Sequence, residues 1–346
     1  MSTIFKTLLN DDCVSTRTLL HEAIPITGSI VSGTYADSNI KNFSHGRFQS
    51  VYDYPYLSSS ANHIIDISVG YSPLSALSSS ISVDNSKKIQ IYKQMAQTLV
   101  GHDINGSIID FDQDGDILAG GTKIKEAIFL SFSRLLTKDE IQKGLLTWLV
   151  GDSLYGSPQL TSKSVSDYGA ANEFRVNSPS GEYGLLYTSS VNIATSSAVG
   201  LLYYQAGIAV ITASLFAGAA SAFHFDFVAG QPQTVDQAFT GSSIQNIANT
   251  VRRRFLNLNF NNTVELNSTI YFCRANHNEF NYSSNPTYLS GSKMIVKNST
   301  IDAPVSYITT VGLYSADSEL LAVAKLSEPL KKDPTNELIL RVRLDY

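Results

Sequence analysis

The stretch "YGLLYTSSVNIATSSAVGLLYYQAGIAVI", residues 183–211, indicates the fold class of this chain. Two apolar runs, "YGLLY" and "VGLLYYQAGIAVI", flank a loop that is rich in Ser, Thr and Asn. Short apolar runs bounded by turn residues are typical of strands that are buried on both faces. Residues 181–211 therefore predict a hairpin whose arms lie inside a sheet-based core.

The apolar sequence continues through residues 199–225, which could span a bilayer on length alone. Gln205 interrupts it, and no basic cluster flanks either end to set an orientation. We therefore expect buried strands followed by a helix of small residues, and we do not expect a membrane span.

Strand patterns also dominate the rest of the chain, above all beyond Asn257. The last segment, "ELILRVRLDY", has a period of two, which is the period of a β-strand. Its apolar face carries Leu338, Leu340, Val342 and Leu344, and its polar face carries Arg341, Arg343 and Asp345. This alternation predicts a strand with one face packed and the other meeting water or a partner.

Helical spacing of apolar residues occurs in "VDNSKKIQIYKQMAQTLVG", residues 83–101, and in "SSIQNIANTVRRRF", residues 242–255. A single helical turn is predicted over residues 137–144, with Thr137 as its cap. The predicted fold class is mainly β, or β-rich α+β, with antiparallel sheets and two or three short helices.

The length of 346 residues suggests about two domains. Residues 1–45 mix short apolar pieces with Pro and Gly, and predict an extended N-terminal arm. We expect an N-terminal β-rich domain over residues 46–160 and a C-terminal β-rich domain over residues 161–346. Extended termini can add strands to a neighbour's sheet, which gives the arm a role in self-assembly.

Composition narrows the classes of partner. Charged residues make up only 16% of the chain and the net charge is -5, so we expect neither nucleic acid nor a membrane as a partner. Cys13 and Cys273 lie far apart and form no CxxC pair, which argues against a disulfide framework or a structural zinc site. A weakly charged surface rich in Tyr, Ser and Asn suits contact with other protein.

The stretch "DFDQDGDILAGG" contains four alternating aspartates, Asp110, Asp112, Asp114 and Asp116, around Gly115. Counted from Asp110, this matches the first half of a helix-loop-helix calcium loop, but position 12 is Gly121 where a bidentate Glu is needed. The pattern favours a turn, because Asp bonds its own backbone and Gly accepts positive φ. A weak or partner-completed calcium site and catalysis by paired carboxylates stay open as alternatives.

No other pattern points to chemistry. The six histidines show no ligand spacing, and the chain has no GxGxxG, P-loop or GxSxG motif, so we predict no catalytic residue and no cofactor. The basic run Arg252–Arg254 lies at the end of a predicted helix, where cations complement the helix dipole. The alternative is that this run clamps an acidic partner.

Several long segments resemble structural proteins of contractile-tailed bacteriophages, of the marine and cyanobacterial myovirus type. Together they touch well over half the chain, and they are "STRTLLHEAIPITGSIVSGTY" (Ser15–Tyr35), "GRFQSVYDYPYLSSSANHIIDISVGYS" (Gly46–Ser72), "YKQMAQTLVGHDINGSIIDFDQDGDILAGGTK" (Tyr92–Lys123), "FLSFSRLLTKDEIQKG" (Phe129–Gly144), and "NEFNYSSNPTYLSGSKMIVK" with "SYITTVGLYSADSELLAVAKLSEPLKKD" (within Asn278–Asp333).

The resemblance implies a virion component without a catalytic role, in the tail or baseplate, with the neck or capsid as the alternative. Its partners would be other copies of itself and other virion proteins, and it would be assembled in the cytoplasm of a bacterial host. A tail-tip module that binds a receptor or glycan is a further alternative, with exposed tyrosines as a stacking platform. Trp148 lies in an apolar run, "GLLTWLVG", and is expected to be buried.

Overall fold

The fold of the chain is mainly β, with large antiparallel sheets and a few helices, as the sequence predicts. The computed structural model describes residues 5–35, 37–80, 82–116, 120–153, 161–188, 198–216, 225–226, 232–282, 289–290, 293–294 and 305–346. The predicted helix of small residues after position 216 and the side chain of His224 lie outside these residues.

The strands are numbered in chain order. The first eleven are β1 (Cys13–Thr27), β2 (Ile40–Asn42), β3 (Gln49–Tyr52), β4 (His63–Tyr71), β5 (Phe111–Asp112), β6 (Lys123–Ile124), β7 (Glu126–Phe132), β8 (Glu140–Ile141), β9 (Thr147–Gly151), β10 (Ser162–Ser166) and β11 (Arg175–Ser178). The others are β12 (Gly181–Tyr187), β13 (Ala198–Tyr203), β14 (Ile208–Thr212), β15 (Phe225–Asp226), β16 (Pro232–Gln233), β17 (Phe255–Ala275), β18 (Leu289–Ser290), β19 (Lys293–Met294), β20 (Ser306–Tyr314), β21 (Leu320–Lys332) and β22 (Leu338–Asp345).

The α-helices are α1 (Val83–Leu99), α2 (Arg134–Thr137), α3 (Val235–Gly241) and α4 (Ile244–Arg253). The two long helices predicted from sequence, α1 and α4, are confirmed. The turn predicted over residues 137–144 is wrong: the helical turn is α2, because the Ser133 hydroxyl accepts from the Leu135 N–H and caps it, and Lys138 ends it with a φ of +55°. Among the described residues, no helix has the length and apolar character that crossing a membrane requires.

The chain divides into two compact units. We call Leu20–Val264 the central unit, and Met1–Leu19 with Glu265–Tyr346 the terminal unit. The predicted boundaries at residues 45 and 160 do not coincide with this division. Ile26 and Ile40, in the predicted arm, are buried within the central unit, and the terminal unit draws on both ends of the chain.

The central unit contains a sheet in the order β17, β9, β10, β12, β13, β14, β7, β4, β3 and β2, to which β17 contributes its first residues. The predicted hairpin over residues 181–211 occupies the middle of this sheet. It has three strands where the pattern predicts two, because a turn at Tyr204–Gly207 divides "VGLLYYQAGIAVI" into β13 and β14. Leu201 pairs with Val210 across this turn, and both are buried.

Helices α1 and α4 pack against β4. Gly70 in β4 permits the close approach of α1, since a Cβ at that position would lie 2.6 Å from the Lys88 carbonyl oxygen. These elements contribute to one apolar core, which includes Tyr92, Phe111 and Phe129. The ring centroids of Phe111 and Phe129 are 5.8 Å apart. Burial of this kind of surface is the main stabilising term in folding.

The terminal unit is built on the second part of β17, which pairs antiparallel with β22 from Ser268–Asp345 to Ala275–Leu338. The predicted alternation of the last strand is confirmed, with Val342 buried and Arg341 and Arg343 exposed. Strands β20 and β21 form a two-stranded antiparallel hairpin with a turn at Ser315–Glu319. Two-stranded hairpins without a covering layer are marginally stable in water.

Candidate functional site

The described part of the terminal unit contains almost no fully buried apolar side chains. Among its described residues, only Ala275 and Val342 are buried apolar side chains. Its buried polar side chains are more numerous, and they are Asp12, Ser268, Thr269, Asn281, Ser306 and Lys332. In its described residues the unit is therefore held mainly by strand pairing, polar contacts and half-buried apolar side chains, with little of the full apolar burial that normally stabilises a fold.

In the described part of the terminal unit, some large apolar side chains are half-buried, such as Ile308, Leu313 and Leu340, and many others are exposed. Among the described residues, the exposed ones outnumber those of the larger central unit, and they are Phe5, Leu9, Val14, Leu19, Leu266, Phe280, Tyr282, Tyr307, Tyr314, Leu320, Leu321, Val323, Ile339 and Tyr346. Leu321 is 69% exposed and Val323 is 51% exposed, on one face of β21. Apolar groups concentrated in this way mark surfaces that other protein covers.

Six pairs of oppositely ionisable side chains lie within the described part of the terminal unit. Lys6 contacts Glu279 at 2.5 Å and Arg274 contacts Asp12 at 2.6 Å, and four further pairs are Arg17–Glu265, His277–Glu337, Lys331–Asp333 and Arg343–Asp345. The unit carries ten Lys and Arg against eleven Asp and Glu. Its surface therefore has little net charge with which to repel another copy.

A groove of about 890 Å³ lies in the terminal unit between its N-terminal residues, β17 and β20. Aromatic side chains line it, including Phe280, Tyr282 and Tyr307. The Phe5 ring packs edge-on against Tyr314 with centroids 4.8 Å apart. Trp148 contributes nothing to such a surface, because it is buried in the central unit as the sequence predicts.

The acidic stretch of the central unit forms the connection between β5 and β6, which pair antiparallel at Phe111–Ile124 and Asp112–Lys123. Asp110 turns away from the other aspartates: both of its carboxylate oxygens accept from the Ser72 hydroxyl, at 2.7 and 2.9 Å. Asp112, Asp114 and Asp116 converge, and each offers a carboxylate oxygen within 4.8 Å of the other two. The structure therefore brings together three of the four aspartates named from the sequence.

Asp112 lies at the base of this cluster with 2% of its side chain exposed. Its Oδ2 accepts from the Lys123 ammonium at 2.5 Å, and its Oδ1 is buried without a hydrogen-bond donor. The pKa of the Asp112 carboxyl is raised to about 6, first by burial and then by Asp114 and Asp116, against the opposing effect of Lys123. Carboxylates this close repel one another when all are ionised.

The sheet of the central unit holds this loop in place. The Tyr183 hydroxyl, on β12, donates to the Gly115 carbonyl oxygen at 2.9 Å, and the Asn177 side-chain amide donates to the same oxygen at 3.3 Å. Gly121 has a φ of +61°, and a Cβ there would lie 2.8 Å from Asp114 Oδ2. Glycine at position 121 therefore makes room for a carboxylate.

The basic run at the end of α4 is mostly internal. Arg252 is 1% exposed and donates to Asp37 Oδ1 at 2.8 Å and to the Val31 carbonyl oxygen at 3.0 Å. Arg254 is 2% exposed and donates to the Asp152 carbonyl oxygen, so within this run only Arg253 has a largely exposed guanidinium. The run clamps other segments of its own unit, which leaves little of it for an acidic partner.

Sequence patterns reveal the aspartates but not the terminal-unit surface. A signal is present in β21, where Leu320, Leu321 and Val323 occur without a strict alternation of apolar and polar residues. Its meaning depends on whether another layer of the fold covers β21, which sequence patterns do not show. Comparison of the chain with models of known protein families, with curated proteins and with solved structures finds no match.

Proposed function

We propose that this chain is a repeated structural subunit of a contractile-tailed phage particle, in the tail or baseplate, and that it has no catalytic role. The resemblance of its long segments to phage structural proteins supports its membership of a phage particle. The exposed apolar surface of the terminal unit supports assembly through contacts with neighbouring subunits. In this proposal the central unit is a self-sufficient fold, and the terminal unit is completed by neighbouring subunits.

One observation carries the proposal: the described part of the terminal unit exposes many of its large apolar side chains and fully buries almost none. A domain of this size normally stabilises itself by burying apolar surface at about 25 cal/mol per Å². Leu321 and Val323 present that surface outward on a hairpin whose strands β20 and β21 each have an edge that pairs with no other described strand. Unpaired edges are templates for strands of another chain.

The occupant that we propose for this surface is a second copy of the chain. The near balance of basic and acidic residues in the terminal unit, together with its internal ion pairs, means that two copies meet without strong repulsion. A partner chosen by charge would require an unpaired excess of one sign. Symmetric repetition of moderate contacts then supplies the stability that one copy lacks.

Self-association of the purified chain tests this directly. We expect Leu321→Asp to abolish assembly, because it places a charge in the apolar contact, whereas Leu57→Asp, at an 85% exposed position of the central unit, leaves assembly unchanged. Sedimentation velocity over a range of concentrations measures the effect, and circular dichroism verifies that both variants are folded. Equal assembly by the two variants would refute the role of β21.

The particle itself is tested by mass spectrometry of purified virions and by tracing the chain in a cryo-electron microscopy map. We expect many symmetry-related copies, with β20–β21 at an interface between subunits. A chain that is synthesised during infection but missing from purified particles would refute the proposal. Copies found in the neck or capsid would change the proposed location of the subunit but would agree with its role in assembly.

A second candidate function is glycan binding at a tail tip, which the aromatic lining of the 890 Å³ groove favours. Tyr282 and Tyr307 are 46% and 54% exposed, and exposed aromatic rings can stack on apolar sugar faces. A glycan array probed with the purified chain discriminates between the two. Binding that is lost in Tyr307→Ala but retained in Val323→Asp, a position on the same face of β21 that is not among the groove-lining residues, would favour the glycan module.

A further inference from the structure

Two buried carboxylates of the central unit are satisfied in very different ways. Asp167 accepts from the backbone N–H groups of Gly144 and Leu146 and from the Tyr204 hydroxyl, at 2.7, 2.9 and 3.1 Å, so both of its oxygens have donors. Asp112 is equally hidden, yet its Oδ1 has none. Buried polar atoms in native proteins nearly always have a partner, and an orphan of this kind points to a bound water or ion.

The surroundings of Asp112 favour a cation over a water molecule. Asp114 and Asp116 bring two further carboxylates within 4.8 Å of it. Oxygens on opposite sides of a calcium ion are about 4.6–5.2 Å apart, which is twice the usual metal–oxygen distance. Lys123 contacts Asp112, so one ammonium group lies against a cluster of three carboxyl groups. The cluster keeps a negative charge.

We propose that Asp112, Asp114 and Asp116 form a binding site for a divalent cation, with calcium as the ion that suits them best. Calcium prefers oxygen ligands and accepts irregular geometry, whereas magnesium demands near-ideal octahedral coordination. The β12 contacts to Gly115 and the glycine at position 121 preserve the shape of the loop. The ion satisfies the orphan oxygen and removes the repulsion among the carboxylates.

This site differs from the helix-loop-helix register that the sequence suggests. In that register Asp110 is the first ligand, but the structure commits Asp110 to Ser72 and excludes it from the cluster. The twelfth position is Gly121, so the strongest ligand of that motif is missing. With fewer carboxylates and a competing Lys123, we expect a dissociation constant of about 10⁻⁴–10⁻³ M.

Isothermal titration calorimetry of the full chain with calcium chloride tests the site, and thermal unfolding with and without calcium provides a second readout. We expect saturable binding of one ion and a higher unfolding temperature. Asp114→Asn, which removes a partly exposed ligand without touching the buried Asp112, should weaken binding at least about tenfold. Lys123→Gln removes the competing cation and should tighten binding about threefold or more.

Asp110→Asn is the matched control, because it changes an aspartate two residues from the cluster while an amide oxygen can still accept from Ser72. Binding unchanged in this variant and lost in Asp114→Asn supports the site. Loss in Asp110→Asn with no effect in Asp114→Asn would overturn it in favour of the sequence register. If calcium produces neither a heat of binding nor a higher unfolding temperature in the wild-type chain, Lys123 alone is the counter-ion of Asp112. This result would also overturn the proposed cation site.

Discussion

The two units of this chain differ in how far their described residues bury apolar side chains. The central unit buries a continuous set of aliphatic and aromatic side chains, with Tyr92, Phe111 and Phe129 fully hidden. The described part of the terminal unit fully buries Ala275 and Val342 among its apolar side chains and exposes many of its large ones. Both units consist mainly of strands, so they differ in how much apolar side-chain surface their described residues bury.

This contrast distinguishes contacts that stabilise a single copy from contacts that are expected to form only when copies assemble. A core of large side chains stabilises one copy by itself, since burial removes apolar surface from water. A hairpin with apolar residues on its surface gains that stabilisation only when another chain supplies the other layer. We therefore expect the free energy of unfolding of the terminal unit to depend on protein concentration, and that of the central unit to be independent of it.

The strongest difference should come from truncating one leucine in each unit. Leu130→Ala, at a 1% exposed position of β7, should lower the free energy of unfolding by about 2–5 kcal/mol, because it leaves a cavity in the core. Leu321→Ala should change the stability of a single copy by less than about 0.5 kcal/mol, as for other surface positions. Urea unfolding of the monomer, followed by circular dichroism, measures both.

Trp148 gives this experiment a local probe, since it is the one tryptophan of the chain and is buried in the central unit. Its fluorescence follows the unfolding of the central unit alone. A shift of the Trp148 transition in Leu130→Ala and none in Leu321→Ala is the expected result. A comparable loss in both variants would mean that Leu321 already packs within a single copy.

Sequence patterns predict the elements whose signal is long and local. Helix α1 follows from apolar residues at helical spacing, and β22 follows from the alternation that ends at Leu344. Helix α3 escapes prediction although Thr234 and Gln237 form a capping box, because its seven residues carry too short a pattern. The turn between β13 and β14 escapes it because Tyr204 and Gly207 stand inside an apolar run with no polar cluster.

Long-range pairing does not follow from local patterns. The terminal unit joins residues from both ends of the chain, and β17 meets β22 across more than sixty residues of sequence. The same limit applies to the acidic loop: Ser72, which takes Asp110 out of the cluster, lies 38 residues before it. Sequence spacing makes the four aspartates equivalent, and tertiary contacts make one of them different.

Acid provides a smaller test of the two units, because their carboxyl groups shift in opposite directions. In the terminal unit four carboxyls have a lowered pKa, each because donors stabilise the ionised form: Leu9 N–H and then Arg274 for Asp12, Lys6 for Glu279, the Thr335 hydroxyl for Asp333, and the Ser268 hydroxyl and then Arg343 for Asp345. In the central unit, burial raises the pKa of Asp112 to about 6 and also raises that of Asp167.

The sign of the pH effect follows from these shifts. A lowered pKa stabilises the fold above the unfolded value, near pH 4, and this contribution is lost as the pH falls through the folded value. A raised pKa acts the other way, since its contribution is present below pH 4 and is lost as the pH rises through about 6 at Asp112. Acidification from pH 7 to pH 3 should therefore loosen the terminal unit first.

Hydrogen exchange of the assembled chain at pH 7 and at pH 3, corrected for the intrinsic rates, measures this difference. We expect β20–β21 and β22 to lose protection in acid while β7 and β14 retain it. The effect should be modest and should shrink at high salt, because Glu279 and Asp345 are partly exposed to water. Earlier loss of protection in β7 than in β22 would contradict the assignment.

Completion of the terminal unit by a second copy is tested most directly by hydrogen exchange, followed by mass spectrometry, of the chain as a dilute monomer and as an assembled complex at the same pH. We expect the β20–β21 amides to exchange rapidly in the monomer and to become protected on assembly, while β7 is protected in both. Protection of β20–β21 in the dilute monomer equal to that of β7, with no gain on assembly, would show that the terminal unit needs no partner.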